Sequence, residues 1–206
     1  MYNVQYNMAQ SNSDLRSALS IPGPRIVVVG VTGSGKTTTA AHLARILGIP
    51  HIELDSLHWQ PNWVMTELEL FRQLVSQAIS STNWVTDGNY KKVSDLVWAR
   101  ATTIVWLDYS LPVILGQLAW RTLKRIITRE ELWNGNRESV RGTFFSKDSL
   151  FLWALQTYPR YRKMYRQTFA SPENAHLQVI HLRSRRETAG WLKYVEEFSA
   201  QETAQM

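Results

Sequence analysis

Unbroken Val/Ile runs alternate along the chain with longer stretches whose apolar residues recur every three or four positions. The run RIVVVG at 25–30 lacks polar alternation and predicts a strand buried on both faces. Residues 36–47 have helical spacing, stopped by Gly48 and Pro50. HIEL at 51–54 predicts a second strand, 66–80 an amphipathic helix, and 84–86 a third strand ended by Asp87-Gly88. Further on, 93–99 reads as helix and TIVWL at 103–107 as the fourth strand. Helices follow at 112–128 and 149–168, then a fifth strand at 179–182 and a closing helix at 186–198.

Strands separated by helices imply βαβ units. The predicted fold class is therefore α/β, a three-layer αβα arrangement around a five-stranded parallel sheet. In such sheets ligands bind beyond the carboxyl ends of the strands. The polar residues that follow each strand are the place to look for chemistry.

Composition narrows this picture. The 206 residues are 44% apolar, enough for one domain with its own core. The chain has no Cys, which excludes disulfides, thiolate metal sites and Cys nucleophiles. Residues 1–24 are expected as a flexible N-terminal tail, since 1–20 are rich in Asn, Gln and Ser and show no signal-peptide pattern. The domain proper is expected over 25–198, with a short tail at 199–206. The longest apolar stretch, 104–120, is broken by Asp108 and Pro112, so no membrane span is expected and a soluble cytoplasmic protein is the default. The net charge of +6 is concentrated: eleven Lys and Arg face four acidic residues between Arg121 and Arg166, about +7. That suits a solvated helical face, nucleotide phosphates or nucleic acid.

The candidate chemistry starts at Gly30-Val31-Thr32-Gly33-Ser34-Gly35-Lys36-Thr37, which matches G-x-x-x-x-G-K-[ST] at every fixed position. It follows a strand and opens a helix, the context that gives the match weight. The glycines let backbone N–H groups turn inward around phosphate oxygens, and the helix N-terminus adds positive potential. Lys36 supplies a cation to the β- and γ-phosphates, and the Thr37 hydroxyl ligates Mg²⁺. Thr38, Arg121 and Arg183 are expected beside the same nucleotide. The order G-x-x-G-x-G followed by Lys-Thr differs from a dinucleotide fingerprint, so ATP with magnesium is the expected cofactor pair.

Asp55 follows the second strand and Asp87 the third. One would serve the Mg²⁺ shell and the other the acceptor hydroxyl, and the residues alone leave the assignment open. Asp108, after the fourth strand, is expected to be structural. LDSLHWQPNW at 54–63 places His58, Trp59 and Trp63 in a loop that either lines an acceptor pocket or staples the next helix to the sheet. His58 has no neighbouring metal-ligand spacing. Arg121, Arg125, Arg129, Arg137 and Arg141 surround the turn-like Trp133-Asn134-Gly135-Asn136. An arginine-bearing lid over about 129–145 would stabilise a transferring phosphoryl group and exclude water, with Arg125, Arg137 and Arg141 as its catalytic cations.

The chain resembles the small P-loop kinases related to adenylate and shikimate kinases, most closely the proteins described as DNA topology modulation or FlaR-like proteins. GVTGSGKTT, LDSLHWQPNW, WVTDGNY, ATTIVWLD, the Arg-rich stretch from 121, and VIHLRS carry the resemblance over about residues 25–190. It implies a P-loop NTPase fold with an acceptor-binding section at about 55–83 and a lid insertion. It also implies that Asp87-Gly88 touches the magnesium shell and that Asp55 contacts an acceptor hydroxyl. Adenylate kinases carry an acceptor-gripping Arg shortly after that Asp-Gly; here Asn89-Tyr90-Lys91 stands there, and Arg72 is the only Arg of the expected acceptor helix. Asp55, His58, Trp59, Trp63, Arg72, Asn89 and Tyr90 are the expected acceptor contacts. The expected activity is ATP-dependent phosphoryl transfer to a small acceptor, a nucleotide or a hydroxyl metabolite, by a monomer or homodimer. The alternative is a P-loop ATPase or nucleotide-dependent regulator acting on nucleic acid.

Overall fold

The computed structural model describes residues 20–128, 131–136 and 150–205. Its elements are β1 (Arg25–Gly30), α1 (Lys36–Leu47), β2 (His51–Glu53), α2 (Leu54–His58), β3 (Trp59–Gln60), β4 (Val64–Met65) and α3 (Leu68–Ala78). There follow β5 (Trp84–Asp87), α4 (Ser94–Arg100), β6 (Thr103–Leu107), α5 (Leu111–Thr128), α6 (Leu150–Phe169), β7 (Gln178–Leu182) and α7 (Arg185–Gln205). Five strands form one parallel sheet in the order β2-β5-β1-β6-β7, and β3 and β4 form a two-residue antiparallel ribbon. The fold is the three-layer αβα arrangement with five parallel strands that the periodicity predicts.

Both faces of the sheet are apolar because successive side chains of β1 point to opposite sides. Ile26 and Val28 enter a core with Leu43 of α1, Ile114 and Leu118 of α5 and Trp191 of α7. Val27 and Val29 enter the opposite core with Phe71 and Val75 of α3 and Val97 of α4. Helix α6 serves both, with Ala154 in the first and Tyr165 in the second. Each fully buried Val or Ile of β1 contributes about 1.5–3 kcal/mol relative to exposure, so the double-sided burial of this strand dominates local stability.

The boundaries differ from the sequence reading where local hydrogen bonding intervenes. Leu54, read as the end of β2, instead opens α2. The tail expected over 1–24 is held to the sheet from Ser20 onward. The Trp191 indole donates to the Ser20 carbonyl at 2.9 Å, Gln178 to the Ile21 carbonyl at 3.1 Å, and Gly23 N–H to Thr103 Oγ1 at 2.8 Å. Helix α7 runs through the expected C-terminal tail to Gln205. Among the described residues no helix is long and apolar enough to cross a membrane.

Candidate active site

Strand β1 delivers the chain to the loop before α1. Gly33 (φ 80°) and Gly35 (φ 87°) lie in the left-handed region. A Cβ on Gly33 would also stand 3.0 Å from the Ile114 carbonyl oxygen and 3.1 Å from Leu118 Cβ. The loop thus packs directly against α5, and Ser34, wholly buried beneath it, closes a turn by donating its N–H to the Val31 carbonyl at 3.1 Å. Lys36 reaches back across this turn, its Nζ donating to the Val31 carbonyl at 3.2 Å. Burial pushes the Lys36 ammonium below its ordinary pKa; Asp87 and Asp55 pull it back up, and Arg121 lowers it further.

Thr37, in the first turn of α1, donates its hydroxyl to Asp87 Oδ2 at 2.6 Å. The other carboxylate oxygen, Oδ1, lies 2.9 Å from His51 Nε2. This follows from register: Glu53 and Asp87 are partners across β2 and β5, as are His51 and Val85, so His51, Glu53 and Asp87 share one sheet face. Val85 belongs to the core under α1, which identifies that face as the one beneath the phosphate loop. Asp55, in the first turn of α2, accepts from the Tyr90 hydroxyl. Burial first, and then the Asp55 charge, push the Tyr90 phenol well above its ordinary value, so it stays a protonated donor.

One cavity of about 790 Å³ joins these groups. Its floor is the loop from Thr32 to Thr38, and Asp87 and Asp55 line it together with Trp133. Helix α5 contributes Arg121, Lys124 and Arg125. Because β2 and β7 are the two edges of the sheet, the cavity extends from Asp55, beyond β2, to Arg185, beyond β7.

Of the residues expected at the site, Thr32, Gly33, Gly35, Lys36, Thr37, Thr38, Asp55, Asp87, Arg121 and Arg125 all line this cavity. Gly30 and Ser34 lie behind it as framework. Asn89 is framework too: its amide donates to the Gly30 carbonyl and accepts from the Tyr165 hydroxyl at 2.8 Å, tying the ends of β1 and β5 together. Tyr90 reaches the cavity only through Asp55. Arg185 rather than Arg183 is in the lining; the Arg183 backbone N–H donates to Glu187 at 2.7 Å. Arg72 makes a bidentate pair with Asp95 at 2.7 and 3.0 Å and does not reach the cavity. Asp108 is clasped by Arg162 at 2.6 Å and His181 at 3.0 Å and is not in the cavity lining. Arg137 and Arg141 lie outside the described residues.

The aromatic loop packs on itself and, through His58, on Phe71 of α3. The His58 ring packs within 4.9 Å of the rings of Trp59, Phe71 and Tyr90, and Trp63 meets Trp59 edge-on at 5.6 Å. His58 is buried, which with Lys92 holds its pKa below the ordinary value despite Asp55. The aromatics that line the cavity are Trp120 of α5 and Trp133, whose indole donates to Glu53 Oε2 at 2.7 Å. Its neighbours also dock on the loop: Asn134 donates to the Trp59 and Ser56 carbonyls, and Asn136 to Gln60. Of the lid expected over 129–145, the described part is therefore seated on the acceptor-side loop, and the rest lies outside the described residues. In the sequence reading His51, Glu53 and Lys124 have no role at the site, and Trp133 stands only in the turn of the expected lid. His51 and Glu53 were legible in principle, since they alternate with Ile52 on the strand that leads to Asp55.

The donors here fit a magnesium ion. Thr37 Oγ1 and Asp87 Oδ2 are hard oxygens 2.6 Å apart, beside a phosphate-type loop. Magnesium keeps several waters and takes one or two carboxylates.

With that geometry in hand, comparisons with known proteins reach the fold. Residues 26–108 match the family model described as "ATPase family associated with various cellular activities (AAA)". Among solved structures, the shikimate kinase from Acinetobacter baumannii in complex with shikimate is 18% identical, with a TM-score of 0.50 over 90% of this chain and 97% of that one. A gluconokinase from Sinorhizobium meliloti 1021 is 17% identical, with a TM-score of 0.48 over 90% of this chain and 99% of that one. No curated protein sequence matches the chain. The chain has the three-layer α/β P-loop fold. The narrower FlaR-like resemblance is carried by the quoted sequence blocks alone.

Proposed function

We propose that this protein is a small-molecule kinase that transfers the terminal phosphoryl group of magnesium ATP to a hydroxyl of a small acceptor. The observation that carries the reading is the placement of Asp55, anchored by Tyr90, in the same cavity as Lys36, Thr37 and Asp87. An acceptor hydroxyl needs a carboxylate within reach to hold or take its proton. An enzyme that only hydrolyses ATP would use a second carboxylate to position its attacking water, so stimulation by an acceptor is what separates the two.

In this reading the loop from Gly30 to Thr37 cradles the β- and γ-phosphates with its N–H groups. Lys36 leaves the Val31 carbonyl for the phosphate oxygens, whose charge offsets the cost of its burial. Thr37 and Asp87 hold magnesium, which when bound supplies charge neutralisation at the transferring group. Asp55 orients the acceptor hydroxyl toward the γ-phosphorus and accepts its proton as the new P–O bond forms. The bond from phosphorus to the bridging β–γ oxygen breaks, and ADP leaves. Arg121 and Arg125 stabilise the equatorial oxygens.

The shikimate kinase named above, a neighbour in fold, was solved in complex with shikimate. Arg72, the cation considered for gripping a phosphorylated acceptor, is engaged by Asp95 instead, which favours a hydroxyl metabolite over a nucleoside monophosphate. The nucleic-acid alternative loses ground because Arg121, Lys124 and Arg125 face the cavity, and Arg162 is committed to Asp108. The test is ADP formation from magnesium ATP with a panel of hydroxyl metabolites and nucleoside monophosphates. Stimulation by a hydroxyl compound supports the reading. ATP turnover that only nucleic acid accelerates would replace it with the alternative.

A further inference from the structure

Behind the Thr37–Asp87 pair stand polar side chains that the expected chemistry does not use. Asp87 Oδ1 faces His51 Nε2 at 2.9 Å, with the His51 side chain only 14% exposed and that of Asp87 only 4%. A carboxylate oxygen can only accept, so Nε2 carries the proton. On the far side, His51 Nδ1 faces Glu53 Oε1 at 4.0 Å, and Glu53 Oε2 accepts from the Trp133 indole. Thr37, Asp87, His51, Glu53 and Trp133 thus form one polar row from the phosphate loop to the aromatic of the acceptor side. Packing does not require it, since burying polar side chains under a helix layer costs stability unless each is satisfied.

We propose that His51 is a positioning residue for Asp87. Its Nε2–H engages Oδ1 and prevents rotation of the carboxylate, so that Oδ2 is presented to Thr37 and to the cation that accompanies the nucleotide. A carboxylate held by Thr37 alone could pivot about its Cβ–Cγ bond and offer the cation either oxygen. Neighbours of this kind typically alter metal affinity about 10- to 100-fold when removed. The proposal rests on the magnesium-nucleotide reading of the site, and its test separates the two.

The experiment measures binding of a non-hydrolysable ATP analogue by calorimetry, with and without magnesium. Manganese binding to the complex, followed by electron paramagnetic resonance, reports the metal directly. The wild-type protein should bind the analogue more tightly with magnesium. His51→Ala should raise the half-saturating metal concentration about 10-fold while leaving metal-free analogue binding within about twofold of wild type. His51→Gln should retain near-normal metal affinity, because its amide nitrogen falls where Nε2 lies. His51→Asn should behave like His51→Ala, because its amide falls at the Nδ1 position. The Gln and Asn pair decides the matter even if the Ala variant does not fold. Equal metal affinity in all variants, or equal losses with and without metal, overturns the positioning role while the site reading stands. A wild-type protein whose analogue binding ignores magnesium overturns both.

Discussion

Asn136 clamps Trp63: its side-chain oxygen accepts the Trp63 backbone N–H at 2.8 Å. Asn62 and Trp63 sit at φ 61° and 57°, a left-handed pair that bulky residues adopt only when held there. The same buried amide donates to the carbonyls of Gln60 at 2.9 Å and Trp133 at 2.8 Å, joining the ribbon to the segment that carries Trp133. Asn136→Ala removes the acceptor of the Trp63 N–H and the side-chain donor to the Gln60 carbonyl, while the Trp133 carbonyl keeps the Asn136 backbone N–H at 3.3 Å; a buried polar group left unpaired costs about 1–3 kcal/mol. We expect a loss of roughly 2 kcal/mol or more, read as a lower urea midpoint with an unchanged slope. An unchanged midpoint would mean that the ribbon holds its shape without the clamp.

Lys36 carries a cost in the ligand-free protein. Because burial lowers its pKa from 10.5, the unfolded chain binds more protons than the folded one between the lowered value and 10.5. Stability from this group therefore rises with pH through that window and is lowest below it. Lys36→Met removes the charge while keeping the stem, so the ligand-free variant should be more stable than wild type at pH 7. That advantage should shrink toward pH 10.5, since the difference between the two proteins cancels the common titration of the tyrosines. The same variant should lose ATP turnover. Chemical denaturation of both proteins from pH 7 to 10.5 checks the first claim, and a variant less stable than wild type throughout would refute it.

Asp87 and Asp55 should separate kinetically. Asp87→Asn should weaken magnesium dependence and lower kcat by at least about 100-fold, as loss of a charge beside the metal does. Asp55→Asn should abolish acceptor phosphorylation but leave magnesium-dependent nucleotide binding intact. Tyr90→Phe should act through Asp55, raising the acceptor KM more than it lowers kcat. If Asp55→Asn retains full transfer to the acceptor, the proton goes elsewhere and Asp55 is a helix-start residue.

The phosphate loop was legible in the sequence because its chemistry is local: glycines, Lys36 and Thr37 occupy adjacent positions on one strand-to-helix turn. The five strands were legible for the same reason, as short Val/Ile runs between helical spacings. The acceptor side was less so. Glu53 and Trp133 are joined by a hydrogen bond across 80 positions, and Thr37 and Asp87 across 50, so no local pattern announces the first pair. The break at 133–136 was readable from Asn-Gly-Asn, but its docking depends on carbonyls exposed by the ribbon turn. Short elements such as α2, β3 and β4 lie below the length at which periodicity speaks. Arg185, which lines the cavity, lies two residues beyond Arg183, where strand end passes into helix start and no periodicity separates the two.

The α5 cations provide the sharpest separation between a kinase and a nucleic-acid-dependent ATPase. Arg121, Lys124 and Arg125 line the cavity with the phosphate loop, and Arg121 acts electrostatically on Lys36. Cations placed to meet a charge that spreads over phosphoryl oxygens act more on the transition state than on bound ATP. Arg125→Ala should therefore lower kcat about 10- to 1,000-fold, the range for removing one stabilising donor, with the dissociation constant of ATP changed only a few-fold. Arg121→Ala should show the same split. Nucleic-acid binding through the same side chains would instead give affinity that falls steeply with salt, and each Ala variant would flatten that slope by about one unit. Single-turnover kinetics and an analogue-binding titration at two salt concentrations measure both quantities in the same samples. Variants that keep full kcat yet lose a salt-dependent affinity for DNA or RNA would transfer these residues from the catalytic cavity to a nucleic-acid surface.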